Sequence, residues 1–83
     1  MPIKMVEKKV MPSGMLAEAS LPNGHVYSVE LRDLGESLST TIDRVNGPNV
    51  QDEQRMVNDE ALAKWIDILE ARSDDHTLGE VGC

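Results

Sequence analysis

Apart from its acids, this chain offers few side chains with an obvious route to chemistry: two histidines, one cysteine and a scatter of hydroxyls. His25 sits in the turn-forming stretch "PNGH", and neither it nor His76 has a companion at the spacing a metal site needs. "DDH" at Asp74–His76 reads as a solvated turn, and Cys83 falls in a stretch that reads as frayed, where a nucleophilic thiol would lack an ordered pocket. Ser37, Ser39, Thr40 and Thr41 come without a glycine elbow or a neighbouring base. The glycines match neither a phosphate loop nor a dinucleotide fingerprint. Close carboxylates such as Glu30 and Asp33 are expected by chance when 15 of 83 residues are acidic. No catalytic role, no cofactor and no metal is therefore expected, and the acids are to be read as surface.

That surface is uneven. The net charge is −7. Residues 1–12 contribute about +2, from Lys4, Lys8 and Lys9 against Glu7, whereas residues 51–83 hold nine acids against Arg55, Lys64 and Arg72. Phosphate contact needs a basic footprint, so direct nucleic-acid binding is disfavoured and a basic protein or ribonucleoprotein surface becomes the expected partner. No stretch is apolar enough to cross a membrane, and "MPIKMVEKKV" lacks the apolar run of a signal peptide. A cytoplasmic protein, monomeric or a small homo-oligomer, is expected. A lone Cys rules out an internal disulfide, and with no Phe the core must come from Met, Leu, Ile, Val and Ala.

The acids concentrate in "NDEALAKWIDILEAR", Asn58–Arg72, which carries the signals of a helix: Asn58 as N-cap, Asp59 and Glu60 in the first turn, and Val57 with Leu62 at the staple positions. At about 100° per residue, Leu62, Trp65, Ile66 and Leu69 form a seam that should pack the core. Asp59, Glu60, Asp67 and Glu70 gather on another flank, with Lys64 placed to pair with Glu60. Ile68 lies outside the tight seam. These five residues, Asp59, Glu60, Asp67, Glu70 and Ile68, are the candidate partner contacts. Glu30, Asp33 and Glu36 form a second candidate patch, and Tyr27 is a candidate anchor. An ordinary solvated helix face would carry the same pattern.

Before that helix the chain alternates like a sheet. Ile3–Val10 reads as a charged edge strand, and "MLAEASL" sets Met15, Ala17, Ala19 and Leu21 on one face. Asn23-Gly24 is a two-residue hairpin signal, followed by "HVYSVELR" with Tyr27, Val29 and Leu31 on one side. "LSTTIDRV" reads as a further strand, ended by "NGPN". Val50–Val57 reads as a short strand or an extended connection rather than as helix. The expected fold is a single α+β domain over residues 1–83: a small antiparallel sheet of four to five strands, a helix over 58–72 on one face, and a flexible tail over 73–83.

The run "RVNGPNVQDEQRMVNDEALAKWIDIL" (Arg44–Leu69), with the hairpin "LPNGHVYSVEL", resembles the layout of some small phage-encoded anti-CRISPR proteins. The resemblance covers roughly the last half of the chain and lies in the order of strands, Asn-Gly turns and capped helix. It implies binding without chemistry: a small acidic inhibitor occupying a Lys/Arg-lined nucleic-acid or subunit surface of a CRISPR surveillance complex. The +2 N-terminus departs from a uniformly acidic mimic. The alternative reading is a small structural or adaptor subunit that completes a larger assembly through a sheet edge or through Ile68.

Overall fold

The computed structural model describes the backbone of residues 2–81 and the side chains of residues 2–72. Four strands and one helix follow in order: β1 (Lys4–Met11), β2 (Gly14–Ser20), β3 (Val26–Asp33), β4 (Leu38–Arg44) and α1 (Gln51–Val81). The strands form one antiparallel sheet in the order β1-β2-β3-β4, with α1 on one face. This is the expected α+β architecture. Among the described residues no helix is long and apolar enough to cross a membrane.

Each hairpin has its own local cause. Between β1 and β2 the chain turns through Pro12 and Ser13, and Gly14 then meets β3 so closely that a Cβ there would lie 2.1 Å from the Leu31 carbonyl oxygen. The β2–β3 hairpin forms as expected, but not through a two-residue Asn-Gly turn. Asn23 keeps a negative φ, and only Gly24 is left-handed, at φ 91°. The Gly24 N–H bonds the Leu21 carbonyl (3.0 Å) and the Leu21 N–H bonds the His25 carbonyl (2.9 Å), a three-residue loop in which Pro22 sets the first central position. Gly35, at φ 83°, starts the two-residue β3–β4 turn.

Alternation along β2 and β3 turns Met15, Ala17, Ala19, Tyr27, Val29 and Leu31 towards α1, and all are buried. Val57, Ala61 and Trp65 meet them from the helix, with Met56, Leu62 and Ile68 packed around the edge. The opposite sheet face is uncovered.

The helix differs from expectation at its start and in its rotation. It begins at Gln51, so Val50–Val57 is neither strand nor extended connection, and Asn58 is an interior residue rather than the N-cap. Glu53, Gln54, Arg55 and Met56 are good helix formers, and the loop with Pro48 separates them from β4, which ends at Arg44. Asn58, a poor interior residue, has its side-chain oxygen bonded by the Thr40 hydroxyl on β4. The two added turns bring Glu53 and Val57 onto the inward face. In the expected angular frame its centre then lies near 200°, rather than near the roughly 290° seam. Ile68 therefore packs against the core, while Ile66 and Leu69 are 53% and 37% exposed. The helix backbone also continues to Val81, past the end expected at Arg72, while the side chains of the tail expected over 73–83, Asp74–His76 among them, and Cys83 itself lie outside the described residues.

Candidate functional site

The inward face of α1 carries one acid, Glu53, only 8% exposed. It lies in the first turn, three residues after Val50, where helix geometry turns its side chain back towards the β2–β3 loop and the start of β3. Three donors converge on it. Tyr27 donates its hydroxyl to Oε1 at 2.5 Å, Asn23 donates its amide to Oε2 at 2.8 Å, and His25 Nδ1 stands 2.8 and 2.9 Å from the two oxygens. The Tyr27 hydroxyl accepts from the Val50 N–H (3.2 Å), and Asn23 Oδ1 accepts from the His25 N–H (3.0 Å).

The electrostatics follow from those bonds. Hydrogen bonds from Tyr27, then His25, then Asn23 outweigh the cost of burial and hold the Glu53 carboxyl down at about 2. Burial, reinforced by the neighbouring carboxylate, pushes the Tyr27 phenol above its ordinary value. At neutral pH the cluster is a carboxylate with a neutral phenol. So depressed a carboxylate is a weak base and a good acceptor. The arrangement fastens the β2–β3 loop to the start of α1. Composition and spacing did not point to Glu53, because its partners lie 26 to 30 residues away in sequence. The available signal was the acid four residues before Val57 and eight before Ala61, on the face that proved to be buried.

At the other end of the core, Trp65 Nε1 donates to Asp33 Oδ2 at 3.0 Å, and the Gly35 N–H donates to Asp33 Oδ1 at 2.9 Å. Both bonds, the backbone one foremost, hold the Asp33 carboxyl below its ordinary value. The Arg72 guanidinium lies 5.2 Å from the Trp65 ring centroid and bonds the carbonyls of Met11 (2.8 Å) and Pro12 (3.3 Å).

The candidate contacts are dispersed accordingly. Asp59, Glu60, Asp67 and Glu70 are all exposed on α1. Ile68 packs against the core instead of extending that flank, and Tyr27 is fully buried and committed to Glu53, so it presents no anchor to a partner. Glu30, Asp33 and Glu36 do not form one patch. Glu30 pairs on the uncovered sheet face with Arg32 (3.4 Å), Asp33 turns the other way to Trp65, and Glu36 lies exposed in the β3–β4 turn. Lys64 does not pair with Glu60; its ammonium reaches Glu7 on β1 at 3.2 Å. Among the described residues, no group of three or more His, Cys, Asp or Glu is arranged to hold a metal ion.

No protein-family model matches this chain, and no curated protein or solved structure matches it either.

Proposed function

We propose that this protein is a non-catalytic inhibitor of phage or mobile-element type that acts in the cytoplasm. In this reading its acidic surface docks on a basic nucleic-acid-binding or subunit surface of a host ribonucleoprotein, such as a CRISPR surveillance complex. One observation carries the reading. Lys64, four residues after Glu60, is drawn away to Glu7, and among the described residues none of Asp59, Glu60, Asp67 and Glu70 makes an ion pair. Four exposed carboxylates with no ion pair among the described residues are poised for a partner that supplies one, and they accelerate its approach.

The test is a pull-down from host extract with the natural protein and with a variant carrying Asp67→Lys and Glu70→Lys, repeated as salt rises. A partner that the natural protein captures, and that both the variant and high salt release, supports the reading. Equal capture by both proteins sinks it. A second reading, an adaptor subunit of a larger assembly, draws on the uncovered sheet face, where Val6 and Leu16 lie exposed at 39% and 37%. A clean monomer by light scattering at high concentration counts against self-assembly through that face.

A further inference from the structure

The free edge of β4 is sealed along only part of its length. In an antiparallel strand, alternate residues turn both amide and carbonyl away from the neighbouring strand. On β4 these include Arg44 and Ile42. The Arg44 N–H is taken by Asn49 Oδ1 at 2.6 Å, and the Ile42 carbonyl by Gln54 Nε2 at 3.0 Å. Period two extends the set to Thr40 and Leu38. Among the described residues no side chain bonds the edge-facing amides and carbonyls of these two. Natural sheets rarely leave such groups uncovered without charge, Pro or a bulge to protect them. β1, the other edge, has all but Pro: Lys4, Lys8 and Lys9 line it, and its register shifts between Glu7 and Lys9.

Where the sealed and open stretches meet, at Ile42 and Thr40, a cleft of about 400 Å³ lies between β4 and α1, lined from the helix by Gln54, Arg55, Asn58 and Asp59. The Thr40–Asn58 bond fixes which helix side borders β4. One turn beyond Asn58 on that side stands Leu62, and two residues before Thr40 stands Leu38, 48% exposed. Leu34 in the adjoining turn is 66% exposed. On the face of β4 turned away from α1, Asp43 is exposed.

We propose that the Leu38–Ile42 edge is a docking site for an extended segment of a partner protein, one that alternates apolar and basic side chains. The segment adds as a fifth strand, bonding the open amides and carbonyls of Leu38 and Thr40. Its apolar side chains turn to the α1 side, towards Leu38 and Leu62, and alternation turns its Lys or Arg side chains to the opposite face, beside Asp43 on a molecule of net charge −7. A second copy of this chain fits poorly. Two β4 edges would bring together molecules of net charge −7, and the complementary basic edge, β1, is broken by its bulge. This surface is separate from the Asp67–Glu70 flank, so the two readings fail independently.

The probe is a capped peptide of alternating Val and Lys, about six residues long, titrated into the full chain and followed by amide NMR. Shifts should concentrate at Leu38–Ile42 and Asn58–Leu62, and they should persist in the Asp67→Lys, Glu70→Lys variant. N-methylating the peptide on the edge that faces β4 should weaken binding about tenfold, through loss of strand hydrogen bonds. Methylating the other edge should leave binding unchanged. Thr40→Pro removes the edge-facing donor together with the Asn58 bond and should weaken binding similarly, while Thr40→Val, which loses the Asn58 bond but keeps the N–H, should not. Indifference to N-methylation, shifts centred on Asp67 and Glu70, or β4 shifts that appear on protein dilution alone would overturn the proposal; the last would mark self-pairing.

Discussion

The phenolic hydroxyl of Tyr27 stands between the two halves of a helix cap: it accepts the Val50 N–H at 3.2 Å and donates to Glu53 at 2.5 Å. In a capping box the glutamate three residues into the helix reaches the N-cap amide itself. Here a tyrosine from β3 is interposed, so the helix start is tied to the sheet by the same bonds that satisfy it.

Removing that hydroxyl should therefore cost more than an ordinary tyrosine deletion. Tyr27→Phe keeps the buried ring but leaves the Val50 N–H and Glu53 each short of a partner. We expect a loss of about 1.5–3 kcal/mol in urea unfolding, the range for hydrogen bonds to charged groups. A change below about 0.5 kcal/mol, the ordinary surface level, would show that water replaces the hydroxyl at no cost.

The pH dependence has a definite sign on both sides. Folding lowers the Glu53 pKa from 4.5 to about 2, so its stabilisation is complete above the ordinary value and is lost as pH falls from 4.5 towards 2. Asp33 and Glu7 are shifted in the same direction, Glu7 chiefly by its backbone hydrogen bond and then by Lys64. The raised pKa of Tyr27 acts at the alkaline end, where stability falls as pH rises past the ordinary value of 10. Melting temperature measured against pH should drop at both ends, and Glu53→Gln should flatten the acid limb. An unchanged acid limb in that variant would remove Glu53 as its source.

Two glycines give a contrast. A Cβ on Gly14 would sit 2.1 Å from the Leu31 carbonyl oxygen, whereas one on Gly24 would meet nothing within 4 Å and carries only the strain of φ 91°. Gly14→Ala should cost about 3 kcal/mol or more by forcing β2 and β3 apart. Gly24→Ala should cost about 1–2 kcal/mol. Thermal unfolding of the pair orders them, and the reverse order would contradict the close approach at Gly14.

The acidic flank should be silent in stability. Asp67→Lys with Glu70→Lys touches exposed positions without ion pairs among the described residues, so calorimetry should register a change within about 0.5 kcal/mol per site. A larger loss would mean that the flank holds the fold together, and it would confound any binding defect of the variant.

Much of the sheet was legible from the chain. Met15, Ala17, Ala19, Tyr27, Val29 and Leu31 were readable as one face because a strand alternates with period two regardless of what covers it. The hairpin at residues 22–24 was readable from its punctuation, although Pro22 selected a longer loop than Asn-Gly alone implies. The helix was less legible. Its spacing was visible, but Asn58 is an acceptable N-cap by itself, and inside the helix its side chain is bonded by the Thr40 hydroxyl on β4, which no local pattern announces. A helix with apolar residues on more than one side can bury several faces. The sheet favoured the face where Ala61 permits close approach and where Glu53 and Trp65 find polar partners.

By itself, then, the sequence determined the alternation of the strands, the place of the turns, the existence of a C-terminal helix and the acidity of its surface. These depend on neighbours a few residues apart. The tertiary structure decided the rotation of α1, the packing of Ile68 against the core, the burial of Tyr27, the diversion of Lys64 to Glu7, and the gathering of Asn23, His25, Tyr27 and Glu53 around one carboxylate. Each of these depends on groups brought together from distant parts of the chain, and a buried polar group must find its partner wherever the packed sheet supplies one.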